Sequence, residues 1–84
     1  MKGSIDRDDH RSLRREFTAL GLDRQRARSF AGMIASKAPG TADNLVVGLK
    51  RLGFPVTEVI DCVDGDLFRV VVITGNKKVL RLVF

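Results

Sequence analysis

The chain has no tryptophan and no tyrosine, and only one histidine, one cysteine and two prolines in 84 residues. Each shortage removes a class of chemistry. A lone cysteine, Cys62, cannot form an internal disulfide or a cysteine-based zinc site. A lone histidine, His10, cannot supply a histidine-ligated metal cluster or a relay of imidazoles, and its place beside Leu13 points to a partly buried structural role. The five phenylalanines fall mostly on expected core positions, so aromatic stacking on bases is not expected. The opening MKGSIDRDDH lacks the apolar core of a signal peptide, and no run approaches membrane-spanning length. The expectation is a cytoplasmic, non-enzymatic protein with no membrane partner, no metal and no cofactor.

What the chain does carry is positive charge, unevenly placed. Residues 1–36 hold eight Lys/Arg against five Asp/Glu, residues 37–55 three against one, and residues 56–84 four against four. The whole net charge of +5 therefore lies in the first two-thirds. Such a balance favours nucleic acid, an acidic protein face or an anionic surface as partner. The length fits a single domain, residues 1–84, divided into a flexible N-terminus (1–6), a basic helical part (7–54) and an apolar β-meander (56–84). A domain this small buries only roughly 60% of its unfolded surface, which leaves the core marginal without a partner.

Three helices are expected. The first runs over 7–20, capped by Asp6 and stopped by Gly21, with His10, Leu13, Phe17 and Leu20 inward. Leu22 can then fold back onto Phe17. The second runs over 24–37 behind Asp23 as cap, with Ala27, Phe30, Ala31, Ile34 and Ala38 inward and close helix packing as the consequence. The third runs over 42–52 behind Thr41 as cap, with Leu45, Val46, Leu49 and Leu52 inward. Gly53 and Pro55 end it.

Asp64-Gly65 is a strong two-residue hairpin signal between strands 56–63 and 66–74, and Gly75-Asn76 a weaker one before strand 77–84. The fold class is α+β, three helices on a three-stranded antiparallel meander. Both sheet faces come out apolar, and Cys62 falls with Ile60 and Leu67 on what reads as the core side. Three helices can cover one face. The other, with Val59, Phe68, Val70, Val72, Val79 and Val83, is expected to meet a second copy or another protein.

Two basic constellations stand out. Arg7, Arg11, Arg14 and Arg15 share one flank of the first helix, and Arg24, Arg26 and Arg28 extend it. Arginine forks bind phosphate bidentately, so Arg7, Arg11, Arg14, Arg15, Arg24 and Arg28 are the candidate phosphate contacts. On the outward face of the third helix, Asn44, Val47, Lys50 and Arg51 have the chemistry to read bases in a major groove, although Asp43 beside them would repel phosphates. Thr41 and the start of that helix could also hold a phosphate. Glu58, Asp61, Asp64 and Asp66 cluster on the first hairpin, but their spacing matches no metal-dependent nuclease or calcium loop. Asp64 is explained by the turn, and Glu58 can pair diagonally with Arg69.

The order of helices then meander is similar, in topology alone, to winged-helix DNA-binding domains. The ending FRVVVITGNKKVLRLVF resembles the last strands of small ribosome-dependent RNase toxins over one-fifth of the chain, without their leading strand or a specific motif. Neither likeness places the chain in a family. The favoured expectation is a homodimeric regulator that binds nucleic acid, DNA before RNA. The alternatives are an interaction module or inhibitor docking on a protein target through its apolar sheet, and an RNA-cleaving toxin using Arg69, Lys77, Lys78 and Arg81.

Overall fold

A computed structural model describes residues 7–84, with side chains from residue 10 onward. The expectations for residues 1–6, including Asp6 as cap, and for the side chain of Arg7 lie outside the described residues. The element order is α1 (Arg7–Leu20), α2 (Arg24–Ser36), α3 (Thr41–Arg51), β1 (Val56–Val63), β2 (Asp66–Gly75) and β3 (Lys78–Val83). The strands form one antiparallel sheet in the order β1-β2-β3.

Local chemistry explains where the helices stop. Gly21 and Gly53 both take left-handed conformations, at φ +114° and +89°. In each case the next residue donates its N–H across the helix end: Leu22 to the Phe17 carbonyl at 3.2 Å and Phe54 to that of Leu49 at 3.1 Å. This double closure satisfies carbonyls that would otherwise be orphaned. Asp23 accepts the Arg26 N–H at 2.8 Å and so caps α2. The start of α3 departs from expectation. Gly40, left-handed and without a side chain to offer, is the N-cap. Thr41 is already helical and buried, and its hydroxyl donates to the Ala38 carbonyl at 2.5 Å.

Phe17, Leu20, Ala27, Phe30, Ala31, Leu45, Val46 and Leu49 of the helices pack with Val71 and Ile73 of β2 into one core. The helices cover a single sheet face: α1 and α3 lie on the strands, and α2 packs on α1 and α3. Gly48 lets α2 and α3 approach closely, since a Cβ there would lie 2.9 Å from the Phe30 ring. Leu52, expected inward, is exposed because the helix ends before its side chain reaches the core.

The first hairpin turns at Asp64-Gly65 as expected, both residues at positive φ. The second does not turn at Gly75-Asn76. Its central residues are Asn76 and Lys77, at φ 43° and 62°, and Gly75 stays in β2 opposite Lys78. Gly75 is held in the strand by packing: a Cβ there would lie 2.4 Å from the Leu20 carbonyl oxygen. The shift moves β3 by two positions, so Val71 faces Leu82 rather than Leu80. Side chains alternate with a period of two, so each residue keeps its face. The ladder closes beyond β3 through Arg69 and Phe84, which exchange N–H···O bonds of 3.2 and 2.8 Å.

Candidate nucleic-acid interface

The three-residue link Gly21-Leu22-Asp23 lays α2 along α1. Phe17 and Phe30 meet across the seam with ring centroids 5.9 Å apart and planes tilted by 46°. That contact sets the rotation of both helices. Once Phe17, Leu20, Ala27 and Phe30 face the core, the neighbouring flank of α1 is turned toward the neighbouring flank of α2.

Those flanks carry the arginines. Arg11, Arg14 and Arg15 from α1 and Arg24 and Arg28 from α2 line one open cleft of about 440 Å³, with Thr18, Ala19 and Ala27 between them. Among the described residues no acidic side chain lines the cleft. None of the five arginines makes an ion pair with a described residue; the pairs present use Arg26, Arg69 and Arg81. Within the cleft, the Arg14 Nε is buried and has no hydrogen-bond partner among the described residues. A buried donor left unsatisfied normally costs free energy, and a concentration of like charge adds repulsion. An anion placed among these guanidinium groups would relieve both. Arg26 does not join them, because it turns back to its cap residue Asp23 at 2.6 Å. The Arg26 backbone N–H, and then its side chain, hold the Asp23 carboxyl below its ordinary range.

The second expected set lies elsewhere. Asn44, Val47, Lys50 and Arg51 are all exposed on α3, and none of them lines the arginine cleft. Asp43 beside them is paired with Arg69 of β2 at 2.7 Å, and Arg69 also bridges Glu58 of β1. The two carboxylates, Asp43 first, push the Arg69 guanidinium above its ordinary range. The diagonal Glu58–Arg69 pair is as expected. The Asp43–Arg69 pair was not legible, since 26 positions separate the partners in sequence. It offsets part of the negative charge that would oppose phosphate and ties α3 to the β1–β2 hairpin, although the guanidinium is shared by two carboxylates. The Thr41 hydroxyl is engaged by Ala38, so it is not free to hold a phosphate as expected.

On the sheet, Val59, Phe68, Val70, Val72, Val79 and Val83 share the face opposite the helices. Val79 and Val83 are 62% and 60% exposed, whereas Val70 is 1% exposed although it lies outside the helical core. Its cover is an ion pair: Arg81 of β3 reaches Asp61 of β1 at 3.6 Å, diagonally across β2 above Val70. Cys62 is exposed rather than in the core, because the outer half of the β1–β2 hairpin runs past the helices. Ile60 and Leu67 there are 69% and 74% exposed.

Among the described residues no acidic, histidine and cysteine side chains gather into a possible metal site. The hairpin carboxylates are dispersed, Glu58 to Arg69 and Asp61 to Arg81. The four cations of the toxin alternative do not share a surface: Arg69 points to the helical side of the sheet and Arg81 to the other. His10 is half-buried, its Nε2 lying over Gly32 of α2. An apolar groove of about 680 Å³ lies between α1, the α2–α3 connection and the end of β3, lined by residues that include Leu13, Ile34 and Leu82. It draws on three separate elements, and no spacing in the sequence announces it. No described helix is long and apolar enough to cross a membrane. Comparisons with protein families, with curated proteins and with solved structures return no match.

Proposed function

We propose that this protein binds nucleic acid through its phosphates, with the α1–α2 arginine cleft as the principal contact. One observation carries the proposal: five arginines from two helices converge on one cleft that, among the described residues, has no acidic lining and leaves the Arg14 Nε without a hydrogen-bond partner. Guanidinium forks match phosphate oxygens bidentately, and such contacts give affinity without sequence preference. The exposed Asn44, Val47, Lys50 and Arg51 on α3 are the base-reading part of the same proposal, with DNA favoured over RNA. Pairing with Arg69, which is shared with Glu58, offsets part of the Asp43 charge that would oppose phosphate on that helix. The role is that of a small non-enzymatic regulator, and a cytoplasmic location belongs to the same proposal.

The test is binding of labelled duplex DNA, single-stranded DNA and structured RNA over a salt series. Micromolar or tighter affinity that falls steeply with salt supports the proposal, and the preferred polymer separates groove, strand and RNA modes. No binding to any of the three at low salt refutes it.

A further inference from the structure

We infer that the outer sheet face is a docking surface for a second copy of this chain, stacked face to face about a two-fold axis parallel to the strands. The inference does not depend on nucleic-acid binding. Three observations carry it.

The first is shape. The face is built from Val59, Val70, Val72, Val79 and Val83 around Phe68, short β-branched side chains on a continuous ladder. None of the described cavities opens on it to seat the anchor residue of an unrelated partner, and the Asp61–Arg81 pair lies over Val70 at its centre. Two such surfaces interdigitate at the ordinary sheet-to-sheet distance of about 10 Å.

The second is charge. Away from the hairpin end, the charged side chains on this face are Asp61 on β1 and Arg81 on β3, the two opposite edges. A two-fold axis along the strands lays β1 of each copy over β3 of the other, so Asp61 meets the other copy's Arg81 twice. Within one chain the Asp61–Arg81 contact is 3.6 Å and spans four residues along the strands, about 13 Å, an offset that an axis parallel to the strands leaves unchanged. Across the strands it already spans two spacings, about 9.6 Å. The separation between stacked sheets is nearly the same, so the arginine can exchange its internal partner for the external one without extra reach. An axis across the strands would instead stack β1 on β1 and β3 on β3, with like-charged strands opposed.

The third is area. With Asp61 and Arg81 included and every exposed part buried, the face offers at most about 1,000 Å² over both copies, short of the roughly 1,200 Å² at which stable specific interfaces begin. The expected product is a weak, reversible dimer in the micromolar range rather than an obligate one.

The experiment is sedimentation velocity on the full chain from 1 to 500 μM, with far-UV circular dichroism on every variant. The native protein should pass from 9.3 kDa toward twice that mass. Val79→Lys and Val83→Lys, at positions already exposed in one copy, should each weaken association at least tenfold with an unchanged spectrum. Asp61→Arg and Arg81→Asp should each fail to self-associate, and an equimolar mixture of the two should form a heterodimer, because only the mixed pair restores both external contacts. A monomer at 500 μM, a dimer indifferent to the two lysines, or a mixture that stays monomeric overturns the inference. The first of these outcomes would leave the face to a different protein.

Discussion

Replacing Arg14 by Met and Arg28 by Ala removes two of the five guanidinium groups that line the α1–α2 cleft. The size of the effect follows from counterion release, which contributes a slope of about −0.9 in log K against log salt for each phosphate neutralised on duplex DNA. Five arginines on five phosphates give a slope of about −4.5, so raising salt from about 50 to 200 mM weakens the native protein roughly 500-fold. The double variant retains three contacts, a slope of about −2.7 and a loss of roughly 40-fold over the same range. Fluorescence anisotropy with a labelled duplex at four or five salt concentrations measures both slopes. Arg26→Ala is the control for Arg28→Ala alone: each removes one charge from α2, but Arg26 is engaged by Asp23. Its slope should equal that of the native protein. If Arg26→Ala lowers the slope as much as Arg28→Ala alone does, net charge rather than the cleft governs binding, and the geometric argument fails. Stability supplies a second check on the cleft. Arg14→Met alone keeps the aliphatic stem and deletes the unpartnered Nε, so it should stabilise the fold by roughly 0.5–1 kcal/mol while weakening binding. A lower melting temperature would show that Arg14 holds the fold together, and its effect on binding would then say nothing about phosphate.

Three further outcomes test the packing and the caps. Gly75→Ala drives a Cβ into the Leu20 carbonyl, a backbone atom that cannot rotate away, and should cost roughly 2–3 kcal/mol in denaturant unfolding. Lys77→Gly relieves a left-handed non-glycine residue in the second turn and should stabilise by about 0.5–1 kcal/mol, seen as a raised melting temperature. The Asp23 carboxyl titrates below its ordinary range in the folded chain, so its contribution is present above its unfolded value of 3.8 and fades as pH falls through the lower folded value. Asp23→Asn keeps a capping oxygen but not the charge, and should flatten the acid limb of stability as pH falls below 3.8 in circular-dichroism melts. An acid limb identical to that of the native chain would contradict the assignment.

Helices, the Asp23 cap and face membership were legible in the sequence because each rests on interactions within a few residues, whereas the expected Thr41 cap gave way to Gly40. The stripe Leu13, Phe17, Leu20 and the terminators Gly21 and Gly53 act through spacing and backbone conformation, and the structure repeats them almost residue for residue. Asp64-Gly65 marked its turn for the same reason. The strand faces survived an error in the second turn, because a displacement of two positions preserves alternation.

What tertiary structure decided were the features set by a distant neighbour. Gly75 resembles a turn residue until the Leu20 carbonyl occupies the space its Cβ would need. Cys62 alternates onto the core side, yet it is exposed because the hairpin outruns the helices that would cover it. The arginines could be assigned to helix flanks from periodicity alone. Their convergence on one cleft, the withdrawal of Arg26 and the stranded Arg14 Nε depend on how α1 and α2 rotate about the Phe17–Phe30 contact. Hydrophobic spacing and capping are local and the chain writes them in order. The mutual rotation of packed elements, and with it the site, is settled only when the whole core closes.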